Sequence, residues 1–357
     1  MGTNLKNLYE AMPEVFKRAL ARPIHNGLIG NKIFKQQIDE LVAAEAMSED
    51  ELTEMQLAKL RDLCEFCYSQ SLFYRARFDE AGVDPSRITL DSFAKLPLLD
   101  KEQVLANYAD ISIAIRGEGF YAATTGGSSG RRLVVINSNE CFYRENAFAM
   151  HFYARLGYDY RSSRLSYFGG DGSALITTSP LYNMIRCNTK LLNESNLDEA
   201  MRHLDFFAPD YIRGLPSSIG FFAQLLIQTG KRLRKQPKGL FLQSENVHPY
   251  QLEQFKEAFG CPVRASYGST ERTVFGEQIG WSGEKLVYSF NKLYGLTEFD
   301  KEECIIGTGF INWRMPLLRY VSDDAAERCA AGYAIQGHRS VPIIGKHGEH
   351  ISTASLC

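Results

Sequence analysis

Tyr121-Ala-Ala-Thr-Thr-Gly-Gly-Ser-Ser-Gly130 gathers small hydroxyl side chains and glycines into one short loop between two apolar, strand-like runs. Glycine accepts positive φ and lets another group approach the backbone closely. Consecutive N–H groups can then point into one concavity that holds an anion. Thr124, Thr125, Ser128 and Ser129 would add side-chain donors beside Gly126, Gly127 and Gly130. The stretch reads as a phosphate loop. It is not of the Walker A type, because Arg131-Arg132 stands where a Lys-Ser/Thr ending belongs. A plain Gly/Ser turn has the same composition, so the surroundings must decide between the two.

Beyond this loop, strands and helices alternate. Leu133 to Ile136 is a β-branched run, and Asn137 and Glu140 have the spacing of a capping box. They would open a helix with Phe148, Phe152 and Leu156 on one face. Leu165 to Phe168 predicts a strand ending at Gly169-Gly170-Asp171-Gly172. Asn196 and Glu199 predict the cap of a further helix. Strands are expected at Tyr211-Ile212-Arg213, Gly239 to Leu242 and Pro262 to Ser266, with helices starting at Pro216 and Pro249. Strand and helix at this spacing imply crossover connections and a largely parallel sheet. After Glu271 the helices stop; Lys285–Phe290, Glu303–Thr308 and Leu317–Val321 read as strands.

The stretch before the loop is mostly helical, with a charged run from Ser48 to Ala81. Asp100 can cap a helix through Tyr108. Of the 357 residues, 45% are hydrophobic and 23% charged, with net charge −2, which gives no electrostatic case for a nucleic-acid partner. No apolar run approaches the ~20 residues of a membrane span, and the first twenty residues lack the apolar centre of a secretory signal. The eight cysteines have no framework spacing, which suggests reduced thiols and a cytoplasmic location. Cys64 and Cys67 share a helical face with Leu60 and Leu63, so they read as core. His347 and His350 lack the further ligands of a zinc site.

Two more motifs carry chemistry. Ala265-Ser-Tyr-Gly-Ser-Thr-Glu271 follows a predicted strand, and ligands of open parallel sheets gather at strand carboxyl ends. Tyr267 could stack on a planar base. Glu271 could hold Mg²⁺, which favours one or two carboxylates plus phosphate oxygens. In Arg314-Met-Pro-Leu-Leu-Arg-Tyr-Val-Ser-Asp-Asp324, Asp324 could accept both hydroxyls of a ribose and Arg319 could meet a phosphate or pair with a carboxylate. Read singly, each motif is equally a polar turn or an edge strand.

The order of the three motifs resembles the adenylate-forming superfamily of acyl-CoA synthetases, and within it the phenylacetate–CoA ligase and CapK-type branch. Leu96-Pro-Leu-Leu-Asp-Lys101, Gly214-Leu-Pro-Ser-Ser218 and Gln243-Ser-Glu245 are similar to further motifs of that branch. The resemblance runs from about Leu96 to the C-terminus. It implies a large α/β domain of mostly parallel sheets flanked by helices, with a β-rich subdomain. The expected division is 1–118 as a helical part, 119–270 as the ATP-binding core, 271–332 as the β-rich subdomain and 333–357 as a hinge opening a further domain.

The resemblance also implies roles. Thr124 to Gly130 would hold the β- and γ-phosphates of ATP; Ser244, Glu245, Tyr267 and Gly268 would flank the adenine. Ser269 belongs to the same turn, Thr270 would contact the α-phosphate, Glu271 would bind Mg²⁺ and Asp324 the ribose. The implied reaction joins a small carboxylic acid to AMP and passes the acyl group to CoA or an amine. A homodimer is compatible with this. The alternative is a nucleotide-binding, catalytically impaired partner or sensor. Departures favour it: Asp323 replaces a glycine before the ribose Asp, Gly337-His-Arg-Ser-Val341 is a degraded hinge, and the family's C-terminal lysine domain is expected to be largely missing. A sugar-nucleotide transferase would need an Asp-x-Asp motif, and the chain has none.

Overall fold

The computed structural model describes residues 12–125, 132–170, 172–338, 343–344 and 350–351. Its principal helices are α1 (Glu14–Ile29), α2 (Lys32–Ala44), α3 (Glu49–Gln70), α4 (Leu72–Ala81), α5 (Lys101–Ala106), α6 (Asn139–Ala154), α7 (Leu197–Phe207), α8 (Pro216–Thr229) and α9 (Pro249–Phe259). A hairpin of β1 (Phe120–Thr124) and β2 (Val134–Ser138) brackets the glycine-rich loop. The main sheet holds β3 (Leu165–Gly169), β4 (Ile176–Ser179), β5 (Met184–Asn188), β6 (Tyr211–Gly214), β7 (Gly239–Gln243) and β8 (Val263–Gly268). It continues through β9 (Phe275–Ser282), β10 (Lys285–Phe290), β11 (Gly295–Phe299), β12 (Cys304–Gly309), β13 (Tyr320–Arg328) and β14 (Tyr333–His338).

Local chemistry sets the boundaries. Asp100 caps α5 as expected, its carboxylate accepting from Gln103 N at 2.7 Å, but the helix breaks at Asn107 before a separate turn from Tyr108 to Ile111. The cap of α6 is Ser138, whose Oγ accepts from Cys141 N at 3.0 Å; Asn137, the expected cap, is still in β2 and buried. Asn196 makes no side-chain cap on α7, because Asn193 caps the preceding turn instead. The strand expected at Leu317–Val321 starts only at Tyr320, since Leu317 and Leu318 are buried in a loop and Arg319 turns at φ 54°.

Twelve strands run in the order β11-β12-β13-β14-β10-β9-β8-β7-β6-β3-β5-β4. The block β5, β3, β6, β7, β8 is parallel; every other pairing is antiparallel. The β-rich run after Glu271 therefore extends the same sheet, making it mixed rather than uniformly parallel. Helices α7, α8 and α9 cover one face of the parallel block through Leu204, Phe222 and Phe255. Helices α1, α2 and α6 cover the other through Leu28, Phe34 and Phe152. Burial on both faces explains why β6 and β7 read as unbroken apolar runs.

A third core joins distant parts of the chain. Leu60, Leu63, Tyr74 and Phe78 of α3 and α4 pack with Leu296, Met315, Leu318 and Tyr320. Cys64 and Cys67 lie in it, and burial raises the pKa of both thiols, as suits core residues. Among the described residues no helix is long and apolar enough to cross a membrane.

Candidate active site

The carboxyl ends of β6, β7 and β8 carry Gly214, the Ser244-Glu245 turn and Tyr267. At the end of β6, Gly214 passes so close to Phe168 that a Cβ would overlap the Phe168 carbonyl oxygen. Pro216 then opens α8 with its φ already helical. The orphan N–H of Ser217 is taken by Glu245 from the end of the next strand: Ser217 N and Oγ donate to its two carboxylate oxygens, each at 2.9 Å. Ser244 makes the turn that allows this, with φ 67°. Ser244 and Glu245 are exposed.

Tyr267, at the end of β8, points toward β13. Its hydroxyl donates to Asp324 Oδ2 at 2.6 Å. In the sheet, β9, β10 and β14 lie between these two strands. Four strand spacings measure about 19 Å when flat, so the sheet must curl to bring the pair together. Val274, Ile305 and Ala326 fill the inside of the curl with Phe290 and Tyr333. Burial, and then the Asp324 charge, hold the Tyr267 hydroxyl protonated.

Glu271 lies inside the same curl. Tyr320 Oη donates to its Oε1 at 3.4 Å. Burial raises its pKa, and the charges of Asp323 and Asp324 add to the effect. Ser269 Oγ lies 3.5 Å from Thr273 Oγ1, and Thr270 is half-buried at the turn. Gly268 is exposed.

Not every expected residue faces this cluster. The Arg319 guanidinium is saturated elsewhere: Nε and Nη2 pair with Glu298 at 3.0 and 2.9 Å, and Nη1 donates to the carbonyls of Ala94 and Leu96 at 2.5 Å. Of its two expected partners, a phosphate or a carboxylate, Arg319 takes the carboxylate, and it fastens the segment around Leu96 to the start of β13. Leu99 N donates to Arg319 O at 3.0 Å, and Val321 N donates to Leu99 O at 2.9 Å. Thr125 Oγ1 accepts from Leu133 N at 3.0 Å, closing the base of the glycine-rich loop, and Thr124 pairs with Val134 in the hairpin. Gly126, Gly127, Ser128, Ser129 and Gly130, like Asp171 and most of the Gly337–Val341 segment, lie outside the described residues.

The sequence reading missed a half-buried ion pair next to Glu271. Arg272, at φ 60°, donates through Nη1 to Glu145 Oε1 at 2.6 Å, and Tyr294 donates to Oε2 of the same carboxylate at 2.6 Å. Burial opposes charge on Arg272, and the Glu145 charge more than offsets it. Gly309 leaves room for the strained Arg272 backbone, since a Cβ would overlap the Arg272 carbonyl. No local signal marks the pair, because its partners are 127 residues apart.

No protein-family model matches the chain. CapK of Staphylococcus aureus is 22% identical over 98% of this chain and 79% of its own length. The crystal structure of 2-hydroxyisobutyryl-CoA ligase with an acyl-AMP in the postadenylation state superposes with a TM-score of 0.64. It is 18% identical and covers 86% of this chain and 72% of the ligase. An open form of the ligase with its acyl-AMP and CoA gives 0.60 at 18% identity, over 79% and 74%.

The chain has the adenylate-forming fold.

Within that fold, the fit of a divalent cation can be judged on the donors. Among the described residues no cluster of three or more His, Cys, Asp or Glu could hold a metal ion by itself. Glu271, half-buried beside the like charges of Asp323 and Asp324, is a hard oxygen donor. Such a set suits Mg²⁺ only if phosphate oxygens complete the shell.

Proposed function

We propose that this protein activates a small carboxylic acid with ATP, forming an acyl-adenylate and pyrophosphate, and transfers the acyl group to CoA or another thiol. One observation carries the reading most: Tyr267, Asp324 and Glu271 meet in one curled face, although 57 residues separate the first two in sequence. The likeness of the fold to a ligase solved with its acyl-AMP supports it.

In this reading residues 119–270 supply the nucleotide core and 271–332 the wall that carries Asp324. Tyr267 stacks on the adenine, with Gly268, Ser244 and Glu245 at its edges. Asp324 accepts from the ribose hydroxyls. Thr124 to Gly130 cradle the β- and γ-phosphates, and Ser269 and Thr270 stand beside the α-phosphate. Glu271 would hold Mg²⁺, which neutralises phosphate charge when bound. The protein's task is alignment and charge neutralisation, since a carboxylate and a triphosphate repel each other.

Calorimetric titration with MgATP and AMP, alongside Tyr267→Ala and Asp324→Ala, tests the site. Binding by the parent chain, lost in both variants, supports it. ATP–pyrophosphate exchange with a panel of acids then tests activation. Nucleotide binding without exchange under any acid would favour a sensor or partner protein; no binding by the folded chain would overturn both readings.

A further inference from the structure

Glu271 sits in a turn that is held from two sides. Arg272 N donates to Ser269 O at 3.2 Å and closes the turn, and Arg272 itself has φ 60°, a strained conformation for any residue with a Cβ. Glycines of β11 and β12 crowd the backbone at this point. A Cβ at Gly309 would overlap the Arg272 carbonyl, and one at Gly295 the Thr273 carbonyl. Strain of this kind persists only where the surroundings hold it.

The Arg272 side chain carries the turn to other elements. Its Nη1 donates to Glu145 Oε1 at 2.6 Å, and Tyr294 holds the second oxygen of Glu145 at 2.6 Å. Glu145 stands in the second turn of α6, the helix that follows β2 directly. Arg272 also reaches the Tyr121 hydroxyl on β1. One guanidinium therefore sets the turn that bears Glu271 against the hairpin that brackets the glycine-rich loop.

Stability alone does not call for this arrangement. An apolar pair of similar volume would hold α6 to the turn about as well as a half-buried ion pair does. What the pair adds is direction: a planar fork and a carboxylate meet in few orientations. The strained residue is also the immediate neighbour of the carboxylate placed in the site.

We propose that Arg272 and Glu145 are positioning residues, which fix the Glu271 carboxylate relative to the β1–β2 hairpin so that metal and phosphates are received in register. This rests on the reading above, in which Glu271 takes Mg²⁺ together with ATP.

The full chain would be titrated calorimetrically with AMP, with ATP plus Mg²⁺ and with ATP in EDTA. The parent would be compared with Arg272→Lys and with a double variant, Arg272→Met plus Glu145→Gln. The double variant removes both charges at similar volume, leaves Tyr294 an acceptor and strands no charge, so it should melt close to the parent. Its preference for ATP with Mg²⁺ over ATP in EDTA should fall about ten- to a hundredfold, the usual effect of losing a group that orients a metal ligand. AMP affinity should stay at the parent's value. Arg272→Lys keeps the charge and loses the fork, so its preference should lie between the two. The parent's Mg²⁺ preference in either folded variant, or an equal loss of AMP and ATP, would overturn the proposal. Should the double variant not fold, Arg272→Lys alone decides. No AMP binding, or no Mg²⁺ preference, in the folded parent would instead sink the nucleotide reading, and the proposal with it.

Discussion

The Tyr267 hydroxyl closes on the Asp324 carboxylate at 2.6 Å, across a sheet that places three strands between them. This single contact pins the curl of β8 through β13 and presets the Asp324 carboxylate at the face where Glu271 lies.

Tyr267→Phe keeps the ring and removes the donor. Stability should fall by about 1 kcal/mol, the net worth of one such hydrogen bond. AMP affinity should weaken, yet less than in Asp324→Ala. Urea melts and calorimetry separate the two effects; equal losses of AMP binding would show that the hydroxyl, not the carboxylate, makes the contact.

Arg319→Lys should cost about 3 kcal/mol, since a lysine cannot keep the fork on Glu298 and both carbonyls. Nucleotide affinity per folded molecule should not change. A selective loss of ATP binding in a normally stable Arg319→Lys protein would return the residue to the phosphate site.

Ser217 and Glu245 join α8 to the end of β7. Removing the cap by Glu245→Ala should cost about 1 kcal/mol. A double-mutant cycle with Ser217→Ala should show positive coupling by urea denaturation. Simple additivity would mean that the carboxylate faces solvent and the helix end is satisfied by water.

The pH dependence of Glu271 has a definite sign. Its folded pKa is raised above 4.5, so the fold favours the protonated acid. Below pH 4.5 the acid is protonated in both states and costs nothing; as pH rises through the folded value, ionisation destabilises the fold. Glu271→Gln should therefore melt at a higher temperature than the parent at pH 7 to 8, with the gain vanishing in acid. Scanning calorimetry across this range checks it, and an advantage that grows on acidification would reverse the argument.

Much of this was legible because it is local. Pro216 and Pro249 mark helix starts, β6 and β7 are unbroken apolar runs, and the motifs fall at strand ends where a parallel sheet collects ligands. Caps were less legible, because Asn137 sits one residue and Asn196 three residues from equally good competitors, Ser138 and Asn193. β4 and β5 were missed: Ile176–Ser179 and Met184–Asn188 are short and carry Arg186 and several polar residues, so neither period nor composition stands out. Arg272–Glu145 and the contacts of Arg319 with the Ala94 and Leu96 carbonyls span more than a hundred residues, where no sequence spacing applies.

The Tyr74 hydroxyl donates to the Pro316 carbonyl at 2.6 Å, bridging 242 residues, and Gln56 reaches Gly295 across 239. During synthesis, α3 and α4 emerge long before the segment that covers them. At about 5–20 residues per second, their apolar faces wait roughly 10–50 s for Met315, Leu318 and Tyr320. For that interval the nascent chain displays a half-built core to the cell. Its yield is thus set by whatever shelters the first hundred residues, as much as by the stability of the finished fold.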